Sequence, residues 1–353
     1  MIVKNKNICF LIPSLSSGGI EMYVLRFLKY LDEVSNITII IRSHQKGDLY
    51  ENYKATGVKL VFMPLGYMNY EKLKQHYKFY KQAQFDVICD FNANFAGWVM
   101  WLAKQAGVSK RMAFYRQGRD HFKPTLPNRM VNKLMNRLVY KNATDILSNS
   151  NAAIEFFFPY REKNDKRFQV IYNGINAKDY QLEESKEDIR HSLKLPLDKY
   201  IIGHVGRLDP AKNHTTILRT FKQLLEEQKD VHLVLCGRDT EQLQDQIQEL
   251  EIQNQTNLLG YRSDVPRVLK TLDLFFFPSL TEGQPNALIE AMVSGLPIVA
   301  SDIQPIKEIV PEAYRDNLKP AMDIQAFTQQ LIKLMNTQID NTKTKNQMID
   351  EFD

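Results

Sequence analysis

The sequence predicts an α/β protein of two Rossmann-like domains with an interdomain cleft. Short β-rich runs alternate with segments of helical periodicity from residue 8 onward, and the alternation stops near Gly174 and then begins again. That pattern argues for parallel sheets covered by helices. The length of 353 residues is enough for two domains, each with its own core.

In the first half the expected strands are Ile8–Pro13, Ile37–Arg42, Val58–Met63, Phe85–Asp90, Arg111–Tyr115 and Asp145–Ser148. The helices between them are Ile20–Leu31, Tyr70–Ala83, Ala96–Ala106 and Asn128–Asn142. A seventh run, Phe168–Tyr172, ends in Asn173-Gly174-Ile175-Asn176, and a charged, helix-prone stretch follows from Glu183 to Lys194. The second series has strands at Tyr200–Val205, His232–Cys236, Asn257–Leu259, Leu274–Pro278 and Ile298–Ala300, then an amphipathic helix, Ile324–Met335. The expected division is 1–172, 173–335 and a polar tail, 336–353. Ligands of such open sheets sit outside the carboxyl ends of the strands.

A composition 44% hydrophobic and 25% charged is that of a globular protein, and no window reaches the 18 apolar residues of a bilayer span. Lys4 and Lys6 before Ile8–Ile12 imitate a secretion signal, but the run is short and Pro13 with Gly18-Gly19 fits a strand turning into a helix, so a cytoplasmic protein is expected. Cys9, Cys89 and Cys236 have neither disulfide-framework nor zinc-ligand spacing, and each falls in an apolar run. A net charge of +5 does not by itself imply nucleic acid.

The most informative stretch runs from Phe275 to Ser301. It reads as a buried strand, a tight loop, a helix with Pro285 near its first position, and a second buried strand. Glu282 lies on the loop and Glu290 in the helix. Eight helical residues would separate them by roughly 12 Å, which suits gripping two parts of one long ligand better than the roughly 5 to 9.5 Å pairing of a glycoside hydrolase. The helix N-terminus beside Glu282 favours an anion such as phosphate. Alternatively, Glu282 is only a loop acid and Glu290 a solvated helix acid. Upstream, Gly206-Arg207-Leu208-Asp209-Pro210-Ala211-Lys212-Asn213 follows a strand and opens a helix. Arg207 and Lys212 can straddle a diphosphate, or they are surface charges capping the loop.

Glu-Gly-x-Pro-Asn-x-x-x-Glu-Ala-Met followed by Ser-Gly-Leu-Pro-Ile-Val-Ala closely resembles the signature of the retaining GT-B glycosyltransferases of family 4, the group 1 glycosyltransferases. The resemblance implies that Glu290 holds the nucleoside ribose and Glu282 the donor sugar, with Gly283, Gln284, Pro285 and Asn286 completing that loop. It implies that Arg207 and Lys212, next to Gly206, stabilise charge on the leaving diphosphate. Gly18 and Gly19 resemble the family's Gly-Gly-x-Glu element that faces the donor phosphates, with Glu21 left unassigned. Gly260 and Tyr261 correspond to the segment beside the nucleobase, where backbone contacts usually act; Leu259 and Val265 there read as core. The family's fold, transfer chemistry and lack of a cofactor are expected with it.

Absent motifs point the same way. The chain has no Asp-x-Asp, which disfavours the metal-dependent glycosyltransferase architecture, so no metal is expected. Neither a Gly-x-Gly-x-x-Gly after a strand nor a P-loop occurs. The chain departs from the family in the first domain, where many members carry a histidine after the fifth strand. Here the sequence offers Arg116 and Arg119 as acceptor or phosphate contacts and His121, oriented by Asp120, as the alternative. The family's last helix crosses back onto the first domain, and the chain stops at Asp350–Asp353, about where that helix is expected to begin.

Ten Lys and Arg residues and one acid lie between Lys104 and Lys141. Arg129, Lys133, Arg137 and Lys141 share one helical stripe, and Met130, Val131, Leu134 and Leu138 form another. Tyr70, Lys72, Lys74, Tyr77, Lys78, Tyr80 and Lys81 add a second basic and aromatic cluster. These are either a solvated face or a surface attracted to an anionic membrane or a polyprenyl-diphosphate-linked sugar. The expected activity is transfer of a sugar from a nucleoside-diphosphate sugar to a hydroxyl of a glycan or lipid-linked glycan, in surface polysaccharide biosynthesis, with no nucleic acid partner. The alternatives are another GT-B enzyme, such as a nucleotide-sugar epimerase or a sugar phosphorylase, and a non-catalytic nucleotide-sugar or lipid-binding partner of an assembly complex.

Overall fold

The computed structural model describes residues 6–30, 36–66, 69–118, 125–337 and 341–353. The chain divides into two compact units, Met1–Tyr172 and Asn173–Asp353.

The first unit holds β1 (Ile8–Ile12), β2 (Ile37–Ile41), β3 (Lys59–Phe62), β4 (Val87–Asp90), β5 (Lys110–Tyr115), β6 (Asp145–Ser148) and β7 (Phe168–Val170). They form one sheet in the order β3-β2-β1-β4-β5-β6-β7, every pair parallel. Its helices are α1 (Gly19–Tyr30), α2 (Tyr50–Ala55), α3 (Tyr70–Ala83), α4 (Ala96–Gln105), α5 (Leu126–Asn142) and α6 (Asn151–Phe157). Strands covered on both faces read as continuous apolar runs, and β1 is the example. Ile8, Phe10 and Ile12 pack with α1, while Cys9 and Leu11 pack with Tyr80, Val99 and Met100 of α3 and α4.

The second unit holds β8 (Tyr200–Val205), β9 (Val231–Cys236), β10 (Thr256–Gly260), β11 (Leu274–Phe277), β12 (Ile298–Ser301) and β13 (Leu318–Lys319) in the parallel order β10-β9-β8-β11-β12-β13. Its helices are α7 (Lys186–Ser192), α8 (His214–Glu227), α9 (Gln244–Glu249), α10 (Val265–Thr271), α11 (Asn286–Val293), α12 (Gln304–Ile309), α13 (Ile324–Met335) and α14 (Thr342–Phe352). The aromatic run of β11 splits between the two sheet faces: Phe275 and Phe277 enter one core and Leu274 and Phe276 the other.

Several boundaries differ from the sequence expectation for local reasons. The helix expected over Glu183–Lys194 is shorter, because Ser185 Oγ accepts from the Asp188 N–H at 3.0 Å and so starts it, while Lys194 turns left-handed at φ +55° and ends it. Helix α11 begins at Asn286, with Pro285 just outside it. The tail is not merely polar: a helix already begins at Thr342, well before Asp350. Thr344, Met348 and Phe352, spaced i, i+4, i+8, are its buried residues, and it packs on α11. The Phe352 carbonyl accepts from Ile175 N–H at 2.7 Å and Asp353 Oδ1 from Ala177 N–H at 2.8 Å, so the tail is stitched to the start of its own unit. Cys9, Cys89 and Cys236 are free and buried, and burial raises each thiol pKa.

Candidate functional site

In the second unit the strand order reverses between β8 and β11, and the loops leaving these two strands carry the charged residues of the motifs. Such a switch point leaves a crevice beyond the strand ends that nothing in the sheet fills. Lys212, after β8, donates from Nζ to Glu282 Oε1, after β11, at 2.7 Å. Their side chains are 21% and 10% exposed, so the pair is held largely out of water. The ammonium also lies 5.0 Å from the centroid of the Phe277 ring, a cation–π contact. The Leu280 N–H donates to the Ala211 carbonyl at 2.8 Å, tying the two loops together at the backbone.

The loop from Gly206 is fixed by its own residues. Asp209 Oδ1 accepts from Ala211 N–H at 2.8 Å and caps a single 3₁₀ turn, Pro210–Lys212. Asn213 then turns left-handed at φ +60°, and its buried amide donates to the carbonyls of Pro278 and Ala321. Arg207 is placed differently from Lys212. Its guanidinium reaches Asp209 Oδ2 at 3.2 Å and is 65% exposed, the arrangement of a surface charge on the loop.

Gly206, Gly237 and Gly260 end three adjacent strands and are linked through their backbones: Gly206 N–H donates to Cys236 C=O and Gly237 N–H to Gly260 C=O, both at 2.8 Å. A Cβ at Gly237 would overlap the Gly206 carbonyl, so that approach requires glycine. Tyr261 is exposed, with the Arg238 guanidinium 5.7 Å from its ring centroid. Beneath this loop His204 and His214 meet edge to face at 5.1 Å, and His204 Nδ1 donates to the Phe276 carbonyl at 3.0 Å. Burial drives His204 well below the ordinary imidazole range and His214 down to about 4, the latter helped by the Lys212 charge. Both are neutral at pH 7.

Beyond Glu282 and the half-buried Gly283, the loop turns inward. Gln284 is buried, its Oε1 accepting from Asn173 N–H, and its Nε2 has no hydrogen-bond partner among the described residues. Asn173 Nδ2 donates to Asn286 Oδ1, so Asn173 sets the entry of α11. Glu290 is half-buried on α11, and its carbonyl accepts from Ser294 N–H and Oγ.

The first sheet reverses between β1 and β4, and there a cavity of about 260 Å³ opens. Pro13, Arg42, Asn92, Ala93, Arg116 and Gln117 are among its lining residues. Arg42 Nη2 donates to the fully buried Asp90 at 2.6 Å, and Asp90 Oδ1 accepts from the Asn92 N–H at 2.8 Å and its side-chain amide at 2.6 Å. Ala93 is held at φ +51°, an uncommon conformation for a residue with a Cβ. The Arg116 guanidinium stacks 3.7 Å from the Tyr23 ring centroid, and burial lowers its pKa to about 10, so it is still a cation at pH 7.

Gly19 opens α1 with free space where a Cβ would stand; one on Gly18 would come within 2.5 Å of Glu21 Oε2. The buried Glu21 accepts from Ser14 Oγ at 3.0 Å. Arg119, Asp120 and His121 lie outside the described residues. Sequence reasoning missed Arg42, Asp90 and Asn92. A charge directly after the isoleucine-rich β2 and an Asp at the end of β4 were the available signals.

Two family models divide the chain between them. Glycosyltransferase Family 4 matches residues 17–179 and Glycosyl transferases group 1 matches residues 185–351. The chain belongs to the group 1 glycosyltransferases of family 4. It is 26% identical over 356 residues to the UDP-Gal:alpha-D-GlcNAc-diphosphoundecaprenol alpha-1,3-galactosyltransferase of Escherichia coli, covering 95% of this chain and 89% of that one. It is 24% identical over 306 residues to the capsular polysaccharide biosynthesis glycosyltransferase CapH of Staphylococcus aureus, covering 84% and 81%. Its fold matches Anabaena HepE, solved with UDP and glucose, at a TM-score of 0.77 and 19% identity over 98% of this chain and 99% of that one. The fold is therefore GT-B, and the chain is a glycosyltransferase. Among the described residues no helix is long and apolar enough to cross a membrane.

Proposed function

We propose that this glycosyltransferase is retaining and metal-independent, and that it moves a sugar from a UDP-sugar to a hydroxyl of a lipid-diphosphate-linked glycan during surface polysaccharide assembly at the inner face of the cytoplasmic membrane. The observation that carries the reading is the Lys212 ammonium on the Glu282 carboxylate at the switch point of the second sheet. An anchored cation beside an acceptor-only carboxylate matches a sugar diphosphate, with charge at one end and hydroxyl donors at the other.

Lys212, with Arg207 swinging from Asp209, stabilises charge on the leaving diphosphate. Glu282 takes sugar hydroxyls and Glu290 ribose hydroxyls, while the buried Nε2 of Gln284 is a spare donor beside the Gly283–Asn286 turn. Gly206, Gly260 and Tyr261 border the nucleoside, and Gly18 and Gly19 offer the start of α1 to the phosphates. Arg116 in the first unit's cavity holds the acceptor's anionic part; Arg119 and His121 are assigned to the same side. The bond from the anomeric carbon to the phosphate oxygen breaks, the acceptor oxygen bonds on the same face, and the departing phosphate oxygen takes the acceptor's proton. No protein nucleophile is required.

The lipid-diphosphate acceptor is supported by the Escherichia coli relative's name, and the uridine donor by that name together with the UDP in HepE. The test is a thermal-shift screen of UDP, GDP, ADP and CMP, followed by transfer from the matching sugar nucleotides to a polyprenyl-diphosphate-linked N-acetylhexosamine. Stabilisation by UDP alone and a product one sugar longer are expected. Stabilisation by another nucleotide, or hydrolysis with no elongated lipid, would overturn the reading.

A further inference from the structure

The cavity at the reversal of the first sheet contains a guanidinium with donors to spare. Arg42 has a side chain only 10% exposed, and both of its hydrogen bonds leave from Nη2, to Asp90 at 2.6 Å and to the Phe95 carbonyl at 3.4 Å. Its buried Nε has no partner among the described residues. A buried donor left unmet costs free energy. The group is also held still, clamped between a carboxylate and a carbonyl, and the wall that supplies the carbonyl includes Ala93 at φ +51°.

The surroundings define what can meet it. Asp90 is spent, because Oδ2 accepts from Arg42 and Oδ1 from the Asn92 N–H and side-chain amide. It also balances the Arg42 charge, so a second anion gains little at this guanidinium. Other walls of the cavity are apolar, Leu65, Phe91 and Phe95 among them. A neutral hydrogen-bond acceptor that carries a small apolar group satisfies both features. An acetamido group is of this kind, with a carbonyl oxygen for the guanidinium and a methyl for the apolar wall. Gln117 lines the same cavity, and its amide oxygen can take the acetamido N–H.

Given that this cavity receives the acceptor, as proposed above, we infer that Arg42 determines acceptor specificity by selecting a sugar that bears an acetamido group over one with a hydroxyl in its place. The acetamido carbonyl accepts from the Arg42 guanidinium, and Asp90 is the positioning residue behind it. The acceptor's anionic part is left to Arg116.

The test uses short-chain prenyl diphosphates of N-acetylglucosamine and of glucose, each titrated calorimetrically into the full chain and each assayed as acceptor. N-acetylglucosamine should be preferred by about 40-fold in Kd and in kcat/KM. About tenfold comes from the hydrogen bond to a charged donor and about fourfold from burying the methyl. Arg42→Lys keeps a cation for Asp90 but loses the planar fork, and should cut the preference to about fivefold or less. R42M/D90N removes the pair without stranding a buried carboxylate and should do the same. Circular dichroism and melting that match the parent confirm folding. Calorimetry needs no donor, so the preference can be read even if UDP fails to bind. Equal binding of the two lipids leaves the acceptor reading standing and overturns this inference, whereas binding of neither overturns both. A preference that survives in Arg42→Lys and R42M/D90N places the selection elsewhere and also overturns it.

Discussion

Substitution of Lys212 and Glu282, singly and together, isolates the contact on which the donor assignment rests. In Lys212→Met the Glu282 carboxylate, 10% exposed, loses the ammonium 2.7 Å away. Breaking a fully buried pair costs about 3–5 kcal/mol. The lysine is a fifth exposed, so screening brings the expected loss to about 2–3 kcal/mol. Glu282→Gln keeps an oxygen for the ammonium and should cost about 1 kcal/mol. The double variant should be more stable than the sum of the two losses by about 1–2 kcal/mol, read as urea midpoints at constant m. Nucleotide binding divides the pair's roles. Saturating UDP should stabilise the parent by about 2–3 kcal/mol at a hundredfold excess over Kd. Lys212→Met should lose most of that gain, whereas Glu282→Gln should keep it and lose only the extra stabilisation a UDP-sugar gives over UDP. Additivity of the two substitutions within about 0.5 kcal/mol would refute the pair, and a full UDP response in Lys212→Met would refute its assignment to the diphosphate.

Gly237→Ala should push the β8 and β9 loops apart, since its Cβ overlaps the Gly206 carbonyl, costing about 2 kcal/mol or more; an unchanged urea midpoint would contradict the close approach. Stability should fall as the pH drops from about 6.5 toward 4, because burial depresses the pKa values of His76, His204 and His214, so the unfolded chain takes up protons first. His76 and His214, each lowered to about 4, contribute on the order of 3 kcal/mol apiece, and replacing His76 with Gln should flatten the profile of urea midpoint against pH. Transfer should proceed unchanged in EDTA, and NMR of the product should find the donor's anomeric configuration; loss of rate or inversion would exclude the proposed mechanism.

What was legible in the sequence is what period and punctuation encode. The strands β1 and β11 are uninterrupted apolar runs, and helices such as α3 and α13 coincide with their periodic segments. β13 escaped because two residues, Leu318–Lys319, make a strand only by pairing with Ala300 and Ser301. The last helix escaped because one face alone, Thr344, Met348 and Phe352, is buried in an otherwise polar segment. Of the site, Glu282 and Lys212 were visible as motif residues 70 positions apart, but their contact is a property of strand order, since β8 and β11 become neighbours only through the reversal in the sheet. Asn173 was visible only as the end of a strand run, although its bonds to Gln284 and Asn286 span more than 100 residues.

The two units apply one rule with different chemistry. At each reversal the charged residues sit on the loops that leave the carboxyl ends of the strands, so the sheet positions those loops while their side chains answer to whatever enters. In the second unit the crevice holds a cation whose carboxylate partner is itself a ligand candidate, and the layer beneath, His204 and His214, is kept neutral by burial. In the first unit the buried Asp90 is committed to Arg42 and Asn92, so that carboxylate shapes the cavity without repelling an anion, and Arg116 stays charged against aromatic rings. A cation stacked on Tyr23 is costly to desolvate further and gains most from a ligand bringing negative charge of its own. That asymmetry, a charge-balanced pair in one crevice and a cation packed on aromatic rings in the other, is what a donor that departs as a diphosphate and an acceptor that arrives on one would each require.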